Sequence, residues 1–308
     1  MGKKRNNKRS KKKKHAPIRA LVVFAVLLIS LYFLLVPKGS PEAWSVSKGG
    51  ILNYPQKRGS LTCVRAPLEG GEAYTLEKVT YQSKGLKVYG LLRIPRDKSK
   101  VPGMVLLPGA GVPKEGQQGL ADVLRQLGYA TLTLDQRGHG ETDGYVTSIE
   151  EDYRTFLRGE EPIQHKMVYD ALRAIDCMRS FPEIEDVYIA GESMGGRFAI
   201  IAGAIDPSIA GVIGISTAGY RLPATLNQEE LRFFKSIDPN TYVSMISPRG
   251  LVMIHSENDE VIPIQEAEYT ISLAREPKAF YKITTKTHGY TTEMNHYLEK
   301  ALRNIEIE

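Results

Sequence analysis

Gly191-Glu192-Ser193-Met194-Gly195 sets a serine hydroxyl between two glycines, after the apolar run 186–190 and before Gly196-Arg197-Phe198-Ala199-Ile200-Ile201. A strand that turns sharply into a helix at a serine exposes the Oγ. It also puts that atom at a helix N-terminus, where partial positive charge favours a developing anion. A serine hydroxyl is a weak nucleophile near neutrality and needs a general base. The chain has six histidines. His15 lies in a basic tail, His165 precedes a helix, His296 falls in the last predicted helix, His255 ends a strand and His139 sits in a loop. His288 follows the last predicted strand, beside Gly289, and is the base selected here. The base needs an orienting acid. Asp259 follows the strand 251–255 and completes the chain order Ser193, Asp259, His288; the neighbouring Glu257 is not excluded by residue type. A tetrahedral oxyanion needs donors. The reading assigns the backbone N–H of Met194 and one from Pro108-Gly109-Ala110-Gly111, that of Ala110. These glycines have neither Rossmann spacing nor a following P-loop lysine. The chemistry is two-step acyl transfer, with no metal and no organic cofactor implied.

Stepping outward, the elements that would hold these residues alternate. Residues 74–81 and 86–94 predict an antiparallel hairpin around Ser83-Lys84-Gly85. Short apolar strands follow at 103–107, 130–134, 186–190, 211–215, 251–255 and 280–284. Amphipathic helices are predicted at 118–127, 167–181, 195–205, 263–274 and 293–305. Buried strands separated by helices argue an α/β fold, a mostly parallel sheet with helices on both faces and its site at the strand carboxyl ends.

Five segments then carry a resemblance in order: LLPGAG (106–111), DQRGHGETDG (135–144), AGESMGG (190–196), IHSENDEVIP (254–263) and THGY (287–290). Over residues 74–308 the chain resembles the α/β-hydrolase fold serine hydrolases, of the dienelactone-hydrolase-like and prolyl-oligopeptidase-like branch. The resemblance implies an eight-stranded-type, mostly parallel sheet and the Ser193, Asp259, His288 triad. Pro108 stands where the family's oxyanion motif has His, and Ser256 where its acid loop has Gly. By the same resemblance Asp135 and Arg137 shape a loop, and His139 lines the site mouth.

Residues 217–248 exceed a plain connection and offer Tyr220, Leu222, Phe233 and Phe234 as substrate contacts, against the alternative that they pack on the sheet. Residues 145–166 are a second, acidic and aromatic insertion. Neither is a lid domain, and there is no β-propeller to gate substrates by size. Carboxylesterase therefore leads, acting on a small-molecule ester; a peptidase of the same fold is the runner-up. A membrane-tethered protein that binds without catalysis is the reading from another class.

Charge and hydropathy describe the N-terminus. Of 41 Lys and Arg, ten lie in residues 1–19, and the remaining 31 are outnumbered by 35 acids. The body is mildly acidic and carries no nucleic-acid footprint. Ala20–Val36 is an apolar run of 17 residues, about 26 Å as a helix against a hydrocarbon core of about 30 Å. The basic tail before it makes an uncleaved transmembrane signal anchor the preferred reading, over a cleaved signal or a buried helix. The tail is then cytoplasmic and the catalytic domain extracytoplasmic. Residues 37–73 read as a linker and irregular extension. Two cysteines, Cys63 and Cys177, exclude a disulfide scaffold or a Cys-rich zinc protein. A bond between them is permitted outside the cytoplasm, but Cys177 reads first as an apolar filler. The sequence is silent on oligomeric state.

Overall fold

The computed structural model describes Gly2, Ser40 and residues 42–305. The chain divides into two compact units, Met1–Ser40 and Pro41–Glu308, and the elements below belong to the second. Apart from Gly2, the tail 1–19 and the run 20–36 lie outside the described residues. Among the described residues no helix is long and apolar enough to cross a membrane.

Nine strands form the main sheet: β3 (Val64–Gly71), β4 (Tyr74–Ser83), β5 (Leu86–Pro95), β6 (Val101–Leu107), β7 (Ala130–Leu134), β8 (Ile184–Glu192), β9 (Gly211–Ile215), β10 (Gly250–Ser256) and β11 (Lys278–Ile283). Their spatial order is β11-β10-β9-β8-β6-β7-β5-β4-β3. The six from β11 to β7 are parallel and the last three join antiparallel. The sheet is thus mixed and mostly parallel as expected, with one strand more than the eight-stranded type. The addition, β3, comes from residues read as linker. It is an edge strand with nearly every side chain exposed and Pro67 at its middle, so it shows no apolar alternation, and an edge is where a sheet tolerates proline.

Seven α-helices among the described residues complete the layers: α1 (Gln118–Gln126), α2 (Ile149–Leu157), α3 (Ile163–Arg179), α4 (Met194–Ile205), α5 (Gln228–Ile237), α6 (Ile264–Ser272) and α7 (Asn295–Ile305). Strand residues alternate between the two faces. Met104 and Leu106 pack with Leu120 and Leu124 of α1 and Leu298 and Leu302 of α7. Val105 and Leu107 pack with α3, α4 and Ala267 and Ile271 of α6. Both faces are therefore covered, which is why the central strands read as unbroken apolar runs.

The extension before β3 is part of this unit. Strands β1 (Ser45–Val46) and β2 (Leu52–Asn53) pair, and the Leu52 amide donates to Tyr242 Oη at 2.8 Å. Arg58 is ion-paired to Asp176 of α3 at 2.7 Å and to Asp206 at 2.6 Å. Cys63 is disulfide-bonded to Cys177 of α3, with Cα atoms 5.8 Å apart. Cys177 is buried as an apolar filler would be, but it is not a free thiol. The segment read as linker and irregular extension over 37–73 is thus tied to the body from 42 onward through Arg58 and Cys63, while Ser47, Lys48, Gln56, Lys57 and Glu69 among its polar residues remain exposed.

Candidate active site

Strand β8 ends at Glu192 and α4 begins at Met194, leaving Ser193 alone in the turn with φ 49° and ψ −116°. A positive φ in a non-glycine residue is strained and clusters at functional sites. The turn is tight enough to need glycine on both sides. A Cβ at Gly191 would stand 2.3 Å from Gly195 O, and one at Gly195 would stand 2.1 Å from Leu107 O. The Ser193 amide donates to Ile215 O of β9 at 2.9 Å, and Thr217 Oγ1 donates to Ser193 O at 2.8 Å. The first amides of α4, Met194 among them, have no intrahelical acceptor.

His288 and Asp259 meet at the carboxyl ends of β10 and β11. His288 Nδ1 lies 2.8 Å from Asp259 Oδ2 and 3.1 Å from Oδ1. A carboxylate only accepts, so Nδ1 carries a proton, and in the neutral ring Nε2 is the nitrogen with the lone pair. Asp259 Oδ1 also accepts the amides of Val261 (2.9 Å) and Ile262 (3.0 Å). Burial raises its carboxyl, but Ile262, His288 and Val261 outweigh burial and hold it below its ordinary value. Glu257 instead accepts from Thr284 Oγ1 at 2.6 Å on the surface, so it is Asp259 that engages the imidazole. The His288 loop also packs on the serine turn: a Cβ on Gly289 would stand 2.8 Å from Glu192 Oε2. Among the described residues no hydrogen bond joins Ser193 Oγ to His288; such contacts commonly tighten only when substrate is bound.

A layer behind these residues was not legible as functional. The buried His255 donates from Nε2 to Ile262 O at 2.8 Å and lies 3.6 Å from Asp259 Oδ2. Burial lowers its pKa. Lys114, almost wholly buried, pairs with Asp135 at 2.7 Å and Glu141 at 2.9 Å. Nothing in PGAGVPKE marks that lysine as buried; a lysine in a glycine-rich loop ordinarily points to water. Arg137 pairs with Asp170 of α3 at 2.6 Å, so Asp135 and Arg137 hold a loop, as the resemblance implies.

The expected substrate contacts separate. Tyr220 and Leu222 line a groove of about 420 Å³ with Arg221, Lys235, Asp238 and Asn240. Burial pushes Asp238 up to about 7. Phe233 is a correction: it is fully buried, with Phe156, Tyr153 and Phe234 rings 5.4–5.5 Å away. Phe234 packs against the same core. The amphipathic stripe of α5 is a packing stripe, the alternative held open above. Both ring nitrogens of His139 face backbone: Nε2 accepts from the Gly111 amide at 2.8 Å and Nδ1 lies 3.0 Å from Arg137 O. Ala110 is exposed at the tip of its loop. Among the described residues no group of three or more His, Cys, Asp or Glu is placed to hold a metal ion.

Residues 102–287, which include Ser193 and Asp259 and end one residue before His288, match the family model described as serine aminopeptidase, S33. The chain belongs to this family. It is 30% identical to the YfhR protein of Salmonella typhi over 286 residues, 85% of this chain and 84% of that one. It is 24% identical to the acetyl esterase Axe7A of Xylanibacter ruminicola over 238 residues, 68% of this chain and 54% of that one. The chain spans about half the length of several curated relatives it matches. In three dimensions it superposes on acetyl xylan esterase 1 from Thermoanaerobacterium sp. JW/SL YS485 with a TM-score of 0.67 at 11% identity, covering 88% of this chain and 99% of that one. That likeness shows the α/β-hydrolase fold.

Proposed function

We propose that the protein is a membrane-anchored carboxylesterase working through an acyl-enzyme. Ser193 Oγ attacks the ester carbonyl carbon while His288 Nε2 takes its proton. Asp259 orients the imidazole and stabilises the imidazolium. The amides of Met194 and Ala110 receive the oxyanion. Collapse expels the alcohol, which leaves with the proton from His288. Water, deprotonated by the same nitrogen, then releases the carboxylic acid and restores the serine. The observation that carries the reading is the 2.8 Å His288–Asp259 bond, made by a loop that packs against the Ser193 turn.

The ester class is favoured by the acetyl esterase among the relatives. The family's own description as a serine aminopeptidase favours a second reading, peptide bonds, by the same residues. Anchoring through residues 20–36, with the tail cytoplasmic and the hydrolase domain outside, draws on the sequence alone. The Cys63–Cys177 bond accords with it, since disulfides persist in oxidising compartments. Labelling by a fluorophosphonate tests the mechanism. Labelling of wild type that is lost in both Ser193→Ala and His288→Ala is expected, followed by turnover of short-chain p-nitrophenyl esters above aminoacyl p-nitroanilides. A folded wild type that does not label would overturn the reading.

A further inference from the structure

The loop that would supply the second oxyanion donor is tied at every turn to the loop 135–141. Gln136 Nε2 donates to Pro108 O. The Gly111 amide donates to His139 Nε2 at 2.8 Å. The Lys114 amide donates to Asp135 Oδ1 at 2.7 Å. Within the loop, the Val112 amide donates to Gly109 O at 3.2 Å, so residues 109–112 form a β-turn. Gly111, third in that turn, has φ +79°, the signature of type II. Type I and type II turns differ by a flip of the central peptide, here Ala110 C=O with Gly111 N–H. His139 accepts that N–H in its type II orientation.

The bonds also decide which amide is left over. Gly111, Val112 and Lys114 have acceptors, and Pro113 has no N–H. Among the described amides of 110–114, that of Ala110 alone has no protein acceptor. The Gly109–Ala110 peptide is trans, so with Gly109 O turned to Val112 its N–H faces the opposite way. The turn adjoins the nucleophile: a Cβ on Gly109 would stand 3.6 Å from Ser193 Cβ.

We propose that His139 is a positioning residue for the oxyanion hole, latching the 109–112 turn in its type II form so that the Ala110 amide is held ready as donor. The inference rests on the hydrolase reading above. The ring must be neutral with its proton on Nδ1, because Arg137 O only accepts and the Gly111 amide only donates. An acceptor at the position of Nε2 is what the latch needs, and glutamine offers one in its Oε1. Gly111→Ala attacks the same latch from the other side. A Cβ there meets nothing within 4 Å, so its effect reports the positive φ and not a clash.

The test uses the full chain in detergent with p-nitrophenyl acetate. His139→Ala and Gly111→Ala are expected to lower kcat by about 10–100-fold, short of the ~10²–10³ for deleting a donor outright. KM should stay within about threefold, and His139→Gln should recover most of kcat. Hydrogen exchange of the peptide covering 107–114 should quicken in His139→Ala and not in His139→Gln. A His139→Ala enzyme with wild-type kcat overturns the proposal. So does a His139→Gln enzyme no better than His139→Ala at an unchanged melting temperature. If Ser193→Ala is as active as wild type, the hydrolase reading itself fails, and the exchange measurement alone still decides the latch.

Discussion

At the scale of single residues the proposed mechanism makes graded demands. Ser193→Ala and His288→Ala each remove a group that acts as part of one unit, so each alone should cut kcat by about 10⁴–10⁶-fold, with little further loss in the double variant. Asp259→Asn keeps the shape but turns an acceptor toward Nδ1 into an amide, and should cost about 10⁴-fold. Glu257→Gln, at a carboxylate that accepts from Thr284 Oγ1, should leave kcat within about twofold; a loss like that of Asp259→Asn would reassign the acid. Away from the site, His165 is fully buried and bonded from Nε2 to Ser236 Oγ at 2.7 Å. Burial, aided by the Lys84 charge, brings its pKa down to about 3. The folded state therefore binds this proton more weakly than the unfolded chain, whose histidines titrate near 6.5. The corresponding stability is present above about pH 6.5 and is lost as pH falls toward 3, at a slope of about 1.4 kcal/mol per unit from this group. Urea melts at a series of pH values should show that slope reduced in His165→Gln, whatever its stability at pH 7. Ser193, Asp259 and His288 were legible as a chemical set because each is a special residue type at a strand carboxyl end. His255 and Lys114 were not, because what makes them matter is burial, which sequence does not display. His139 was legible as belonging near the site, but its bonds were not: a side chain that bonds backbone leaves no partner residue to find in the sequence.

At the scale of elements, every strand from β4 to β11 was visible: the central strands are buried on both faces and read as largely apolar runs, while the half-exposed β4 and β11 show as stretches rich in β-formers. The edge strand β3 was not, since an exposed strand needs no apolar alternation. The segment 42–73 owes its structure to specific ties, Arg58 to Asp176 and Asp206 and Cys63 to Cys177. Its order should therefore depend on the disulfide. The bond closes a separation of 114 residues, and removing such a crosslink typically costs about 2–5 kcal/mol. Cys63→Ser should lower the melting temperature and open 42–73 to proteolysis while leaving the central sheet protected. Cys177→Ser should do more, because it also puts a hydroxyl into the core of α3. Equal melting temperatures for wild type and Cys63→Ser, with and without reductant, would show that the ion pairs suffice.

At the scale of the whole molecule the charge is segregated: ten cations in residues 1–19, then an apolar run, then a body in which acids outnumber cations. A basic tail alone would bind anionic lipid through Coulomb attraction, which salt screens within a Debye length of about 10 Å at 0.1 M. An apolar run of 17 residues would instead hold by burial, at about 0.8 kcal/mol per CH₂, which salt does not weaken. The two predict different extraction. On the proposed anchoring the full chain stays in the membrane fraction through 1 M NaCl and through alkaline carbonate, and detergent alone releases it. A chain beginning at Glu42 should appear in the soluble fraction with kcat and KM on p-nitrophenyl acetate close to those of the detergent-solubilised full chain, since the residues of the proposed triad and its packing all lie within 42–305. Release of the full chain by salt alone would assign the association to the tail and remove the span. The orientation is open to the same preparation: protease added to the extracytoplasmic side should digest the hydrolase domain and spare an epitope placed before Lys3, and the reverse pattern would put the site in the cytoplasm.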